Sequence, residues 1–457
     1  MRAYLDRTFF IRLLHLAIPV SLQFLLHSSR YITDMLMLGR LGEGPLAAVG
    51  LCTNIHMVVN SVVFGFSAGV GILCAQYFGA KDRPGLSRTV NLGAFVAVLS
   101  MVPVVLLMAL APELIMRIGT NQPAIIAAGA SYLRITAVLP PAIGFITCVA
   151  ASLNAMGKPQ VNFLFTLVAV VANVFLNWVF IFGNLGAPSL GVAGAALATV
   201  LSVGLEVGFI LVFLALWKGG PRMSATVLRS ALCATHVRHF LRISVPLTVG
   251  GVVWHTGAFV YQAVYGHLGE TELAVISMVQ PVRTILFAFF WGISSATGVI
   301  LGHHLGAGEF EHAWHRSKIL IVLGIGASLV AAGLVTVFEM PILSLFAGLS
   351  PDTLRTARDV LAVMLLTIPI LAANVVGIVG VLQSGADTRF VLAMDVFCQW
   401  AVGIPLCWLA AFHFDAPLHL VYLAAFGEEI IKVFIWVPRW AKKAWVRRLV
   451  SAPAVEQ

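Results

Sequence analysis

The chain has 457 residues, of which 60% belong to the apolar set and 10% are charged, and its formal net charge is +9. A soluble domain carries about 25% charged residues, so a water-soluble enzyme of this length would lack the charge to cover its own surface. No polar linker or low-complexity stretch divides the chain either.

A surface that faces lipid explains both observations. Crossing about 30 Å of hydrocarbon takes about 20 apolar residues in a helix. Twelve stretches meet that requirement: 11–38, 46–72, 89–111, 129–153, 161–182, 191–216, 243–265, 273–301, 319–338, 360–382, 390–412 and 418–437. Arg2, Arg7 and Arg12 precede the apolar run of the first in the manner of a secretory leader. That stretch contains Pro19, Gln23, His27, Arg30 and Asp34 and lacks a small-x-small cleavage site, so it reads as a retained span. The predicted fold class is therefore an all-α integral membrane protein with twelve transmembrane helices.

Sorting the 28 Lys and Arg by alternate loops puts 20 on the side of the N-terminus, 4 on the other side and 4 inside spans. Cytoplasmic loops retain positive charge, so both termini are expected in the cytoplasm of a multi-pass protein of the cell (inner or plasma) membrane. The basicity reports topology and gives no reason to expect nucleic acid as a partner. The six cysteines form no CxxC and read as small packing residues within spans.

A shift of 227 residues aligns 16–80 with 243–307 without a gap, with 12 of the 65 pairs identical. Pro19 meets Pro246, GRLGE (39–43) meets GHLGE (266–270), Gly65 meets Gly292, and Gly79-Ala80 meets Gly306-Ala307. Six spans per repeat give both halves the same orientation, the arrangement of parallel-repeat transporters. The expected organisation is an N-terminal six-helix lobe (1–218), a cytoplasmic linker (219–238), a C-terminal six-helix lobe (239–440) and a basic cytoplasmic tail (441–457). The two parallel repeats should form a two-lobed, V-shaped transporter.

Several segments, taken in order, resemble the multidrug and toxic compound extrusion (MATE) transporters of the MOP flippase superfamily. They are YITDMLMLGRLG (31–42), CAQYFGAKD (74–82), NVFLNWVFIFGNLGAPSLGVAGAALAT (173–199) and GVLQSGADTRF (380–390). The resemblance covers essentially the whole chain. It implies a multidrug efflux antiporter that exports amphipathic, often cationic small molecules (xenobiotic transport) in exchange for protons or sodium ions by alternating access. No cofactor, catalytic residue or bound metal is implied, and a monomer in the bilayer is expected to suffice. No GxxxxGK[ST] motif supports direct use of ATP.

An ionisable group inside a span costs about 2.5–3.5 kcal/mol on insertion scales, so each one needs a reason. Gln23, His27, Arg30 and Asp34 fall at i, i+4, i+7 and i+11, on one face of the first span. Asp34 also matches the first-span acid position of MATE proteins, which implies that it binds the coupling ion. An i,i+4 ion pair between Arg30 and Asp34 is the competing structural reading. Arg30 is not part of the MATE pattern, and with Gln23 and His27 it is expected to modulate the acid. The resemblance completes the site with Asn173, Asn177 and Thr199 from spans five and six. Asn173 and Asn177 share a face at i,i+4 and offer carbonyl oxygens to a cation or amides to Asp34.

The second repeat departs from that pattern. Members of the NorM type resemble one another in carrying acids in spans seven and ten, where this chain has VVWHTGAFVYQ (252–262) and LAANVVG (371–377), and the shift places Tyr261 opposite Asp34. Trp254, His255, Tyr261, Gln262, Gln280 and Arg283 are the candidate lining of a substrate cavity. Thr248, His255 and Gln262 share a face of span seven. Glu428 and Lys432 stand at i,i+4 in span twelve with Glu429 beside them, and Glu206 in span six is a candidate partner for Arg134 or Arg283. Two further functions remain in view. Arg30, Arg134 and Arg283 suit a flippase or exporter of lipid-linked or anionic substrates, and His303, His304, His312 and His315, read as one cytoplasmic loop, suit a membrane metalloenzyme.

Overall fold

The structure, a computed structural model, describes residues 7–344 and 351–450; Arg2 of the charge count and the predicted tail beyond residue 450 lie outside the described residues. All regular structure among the described residues is helical. The spans are α1 (Arg7–Gly39), α2 (Glu43–Gly79), α3 (Arg83–Leu110), α4 (Pro123–Thr136 and Leu139–Ala155, bent by 46°), α5 (Pro159–Phe182) and α6 (Val192–Leu216). The second repeat supplies α7 (Ala234–Leu268), α8 (Glu270–Ala307), α9 (Phe310–Val337) and α10 (Pro351–Asn374, continued by π-helical Val375–Leu382). It ends with α11 (Thr388–Val396, π-helical Phe397–Gly403, Ile404–Phe412) and α12 (Leu418–Ala441). Ten of these are long and apolar enough to cross a membrane on their own, and the bent α4 makes an eleventh. The 24-residue α12, which carries Glu428, Glu429 and Lys432, completes the twelve.

The apolar side chains face outward as well as inward. Leu110, Leu216, Phe259, Val337, Leu366 and Phe434 are 72–78% exposed, which only a hydrocarbon surround makes favourable. Local chemistry sets the helix ends. Asp82 caps α3 by accepting the Gly85 N–H at 2.8 Å, and Gly183 closes α5 with φ of 76°, a conformation that favours glycine.

Two compact units are distinguished. The first comprises Leu22–Phe78 and Asp82–Thr248; the second comprises the described residues of Met1–Ser21, Gly79–Lys81 and Val249–Gln457. They divide inside α1 after Ser21 and inside α7 after Thr248, not in the 219–238 segment, and the 227 shift aligns Ser21 with Thr248, so both breaks fall at the same point of the repeat. The packing gives the reason. In the first unit the early part of α7 crosses α2 so closely that a Cβ on Gly65 would stand 2.3 Å from Thr248 Cα. In the second unit the early part of α1 crosses α8, where a Cβ on Gly292 would stand 2.0 Å from Ser21 Oγ and 2.6 Å from the Ala17 carbonyl oxygen. Gly65 and Gly292 are the pair that the 227 shift aligns.

The polar segments outside the spans are tied down. The linker docks on α3, where Asn91 Nδ2 donates to the Arg222 carbonyl at 2.8 Å. The segment after α12 buries Trp445 completely, and its backbone leaves no room for a side chain at Gly385. Arg439 holds Asp387 with two hydrogen bonds of 2.8 and 3.0 Å. The four histidines do not form one loop: His303 and His304 end α8, and His312 and His315 begin α9. There His304 Nδ1 donates to Glu309 at 2.6 Å and Arg316 donates to His304 Nε2 at 2.7 Å. The His304 N–H is the main reason that the Glu309 carboxylate sits below its ordinary range.

Candidate functional site

The polar face of α1 lies in the first unit. Asp34, 8% exposed, accepts a hydrogen bond from Asn177 Nδ2 of α5 at 2.5 Å. The same amide group donates to Asn173 Oδ1 at 3.3 Å, one turn back on α5. Asn173 Nδ2 in turn donates to Thr199 Oγ1 of α6 at 3.4 Å, and Thr199 Oγ1 donates to the Ala195 carbonyl at 2.9 Å. The chain Asp34, Asn177, Asn173, Thr199 thus joins three helices through one polar row, and each member is buried. Asn177 Oδ1 is buried without a donor, so an acceptor oxygen stands beside the carboxylate with capacity to spare.

Arg30 does not pair with Asp34. Its guanidinium reaches α6, where Nη2 donates to Ser202 Oγ at 2.9 Å and to the Thr199 carbonyl at 3.3 Å. This corrects the i,i+4 ion-pair reading: α6 offers two neutral acceptors on the same face, and no carboxylate among the described residues lies within 4.0 Å of the guanidinium. The arginine is parked against the helix that also carries Thr199.

Two turns back from Arg30, α1 connects to a second acid. Gln23 Nε2 donates to Thr166 Oγ1 of α5 at 3.3 Å, and Thr166 Oγ1 donates to Glu206 Oε1 of α6 at 3.0 Å. The proposed partnership of Glu206 with Arg134 or Arg283 is therefore corrected. Arg134 pairs with Glu113 at 2.9 Å, both half-exposed at the helix ends. His27 is exposed on α1 with no hydrogen bond. Ser202 and Thr166 were not singled out from the sequence; serine and threonine are common in spans, and only the fold shows which of them meet α1.

The cavity candidates lie in the second unit. Trp254, Phe287 and Trp291 form an aromatic row with centroid separations of 6.4 and 5.9 Å. His255 Nδ1 donates to the Gly251 carbonyl at 2.8 Å, the local bond expected of a structural histidine. Gln262, Gln280 and Arg283 are exposed, and Tyr261 donates to Glu428 Oε2 at 2.9 Å. Thr248 belongs to the first unit, apart from His255 and Gln262. In α12 the expected Glu428–Lys432 pair is present at 3.5 Å, and Glu429 beside it lies closer still to the ammonium, at 2.7 Å.

Comparison with known proteins places this architecture. The MatE family model matches residues 19–179 and 246–409, one match per repeat. An uncharacterized transporter, YisQ of Bacillus subtilis, is 24% identical over 446 residues, covering 97% of this chain and 96% of its own. A probable multidrug resistance protein NorM of Bradyrhizobium diazoefficiens is 29% identical, covering 88% and 87%. Among solved structures, a MATE in complex with MaL6 superposes with a TM-score of 0.86 at 17% identity over 94% of this chain and 95% of that one. A MOP superfamily transporter from Pyrococcus furiosus, described as having a binding pocket of reverse polarity, superposes with a TM-score of 0.82 at 18% identity, covering 95% and 96%.

Proposed function

Since the chain belongs to the MATE family of multi-pass membrane transporters, we propose that it exports amphipathic, cationic small molecules from the cell in exchange for protons or sodium ions, with Asp34 as the coupling carboxylate. The observation that carries this reading is the buried row Asp34, Asn177, Asn173 and Thr199. A lone carboxylate inside a span needs a cation or a proton at some stage of a cycle, and the surplus acceptor at Asn177 suits either one. The relatives named as probable multidrug resistance proteins support efflux of varied small molecules. One charge moving through 100 mV releases about 2.3 kcal/mol, and each tenfold substrate gradient costs about 1.4 kcal/mol, so one ion per substrate is energetically sufficient only if net charge moves or an ion gradient adds to it. Cytoplasmic termini, a lipid surround and a working monomer complete the proposal.

Arg30 favours a second reading, because a guanidinium without an acidic partner also suits an anionic or lipid-linked substrate. One assay addresses both. Proteoliposomes take up a fluorescent organic cation under an imposed pH or sodium gradient, with wild type compared with Asp34→Asn. Gradient-driven flux in wild type and its loss in the variant are expected. Full flux in Asp34→Asn rejects the site, and flux of an anionic lipid probe without cation flux transfers the function to the second reading.

A further inference from the structure

The second unit lacks an acid at the position aligned with Asp34, yet three carboxylates converge on one ammonium there. Lys432 Nζ lies 2.7 Å from Glu429, 3.5 Å from Glu428 and 3.9 Å from Asp395. The lysine side chain is 5% exposed and those of Glu428 and Glu429 are 8% and 13% exposed. If every group were ionised, three negative charges against one positive charge would leave an excess of two inside the membrane. Buried charge without compensation is resolved by a counter-ion or by protonation. The ammonium already occupies the centre on which the carboxylates converge, where a metal cation would have to sit. Among the described residues no group of three or more Asp, Glu, His or Cys is disposed to hold a metal. The proton is the species that remains.

The carboxylates are not equivalent. Glu429 is held twice, by Lys432 and by Asn374 Nδ2 at 2.6 Å, and Trp436 Nε1 fixes the orientation of Asn374 by donating to its Oδ1 at 2.7 Å. Glu428 accepts from Tyr261 of α7, a contact that only a glycine at 403 permits, since a Cβ there would stand 2.0 Å from Tyr261 Oη and 2.7 Å from Glu428 Oε2. Asp395 is the loose member, farthest from Lys432 and 27% exposed. One turn along α11 from Asp395, Gln399 is 2% exposed and its Oε1 has no donor. Both helices beside the cluster turn π-helical there, α10 directly after Asn374 and α11 one residue after Val396 begins the Phe397–Gly403 stretch, and π turns recur at functional sites. The remaining titratable neighbours are Tyr265 of α7 and Cys398 and Cys407 of α11.

We propose that Asp395, Glu428, Glu429 and Lys432 form a second proton-exchanging site, in which Asp395 takes a proton from water and releases it to water while Lys432–Glu429 is the fixed pair. An O–H bond forms on the Asp395 carboxylate when a hydronium gives up its proton and breaks when water takes it back. The inference rests on the transporter reading and is independent of Asp34.

The test uses the full chain in lipid bilayers, with protons as the only ligand. Infrared difference spectra recorded between alkaline and acid pH follow the C=O stretch of protonated carboxyl groups in wild type, Asp34→Asn, Asp395→Asn and the double variant. Each single variant is expected to lose part of the band and the double variant nearly all of it, and the band retained in Asp395→Asn reports that the variant is folded. An undiminished band in Asp395→Asn overturns the second site and leaves the Asp34 reading standing. An undiminished band in Asp34→Asn with loss in Asp395→Asn supports the second site and counts against Asp34.

Discussion

Ser202→Ala tests whether α6 keeps Arg30 away from Asp34. The substitution removes the 2.9 Å acceptor and leaves the guanidinium with the Thr199 carbonyl at 3.3 Å. A hydrogen bond that involves a charged group contributes about 1.5–3 kcal/mol, and the surviving bond places the loss near the lower end. At about 1.4 kcal/mol per factor of ten, the balance between parked and released guanidinium shifts about tenfold towards release. A released Arg30 finds Asp34 one turn along the same helix, at the i,i+4 spacing that favours a pair. Pairing keeps the carboxylate from loading a proton or sodium ion. Gradient-driven flux in proteoliposomes should therefore fall in Ser202→Ala, by at most about tenfold since the parked state predominates at the outset, while in an Arg30→Met background the same change should have little effect. The coupling in this double-mutant cycle isolates the contact. An equal loss in both backgrounds, or wild-type flux in Ser202→Ala, would show that Ser202 does not act through Arg30.

Two further predictions concern stability. Gly292→Ala forces a Cβ to within 2.0 Å of Ser21 Oγ and 2.6 Å of the Ala17 carbonyl oxygen, an overpacking that costs about 1–3 kcal/mol. Thermal unfolding in detergent should show a lower Tm that Ser21→Gly restores only in part, because the backbone clash remains; an unchanged Tm would disprove the close crossing. Glu309→Gln removes the His304–Glu309 contact, whose exposed side limits it to less than about 1 kcal/mol. The carboxylate is held below its ordinary value of 4.5, so its contribution is complete above that value and fades as the pH falls through the folded value. The variant should thus be slightly less stable than wild type at neutral pH and equal to it in strong acid, as measured by Tm against pH.

The spans, the repeat and the acid on α1 were legible because each depends on local spacing: apolar runs of bilayer length, glycines and prolines in register, and polar residues at helical intervals. Partners between helices were legible only where the family resemblance supplied them, as with Asn177 and Asp34. Arg30 has Asp34 at the spacing that favours a pair, yet two acceptors on α6 lie within reach and take it. Lys432 pairs with Glu428 at i,i+4, yet Glu429 lies closer to it, oriented by Asn374 from α10, which Trp436 in turn holds. Histidines that read as a loop cluster are divided between the end of α8 and the start of α9, because GAGE between them is just long enough to turn. In each case the sequence supplies the candidates, and the competition among acceptors within the fold selects one.

The two repeats resolve the same position in different ways. The 227 shift places Tyr261 opposite Asp34, and in the second unit the tyrosine hydroxyl donates to Glu428. A phenol cannot accept a metal cation or exchange a proton as a carboxylate does near neutral pH, but it can hold a carboxylate supplied by α12, provided residue 403 lacks a side chain. The acid in the first unit is bound by neutral amides and has its cation parked two acceptors away, whereas the acids in the second carry a built-in ammonium. The first arrangement leaves room for a sodium ion or a proton, and the second admits only a proton. Ion selectivity should therefore reside in the first unit: Asn177→Leu, which deletes both the amide donor and the spare acceptor beside Asp34, should alter the response to a sodium gradient more than the response to a pH gradient, and equal losses in the two would remove the basis for that division.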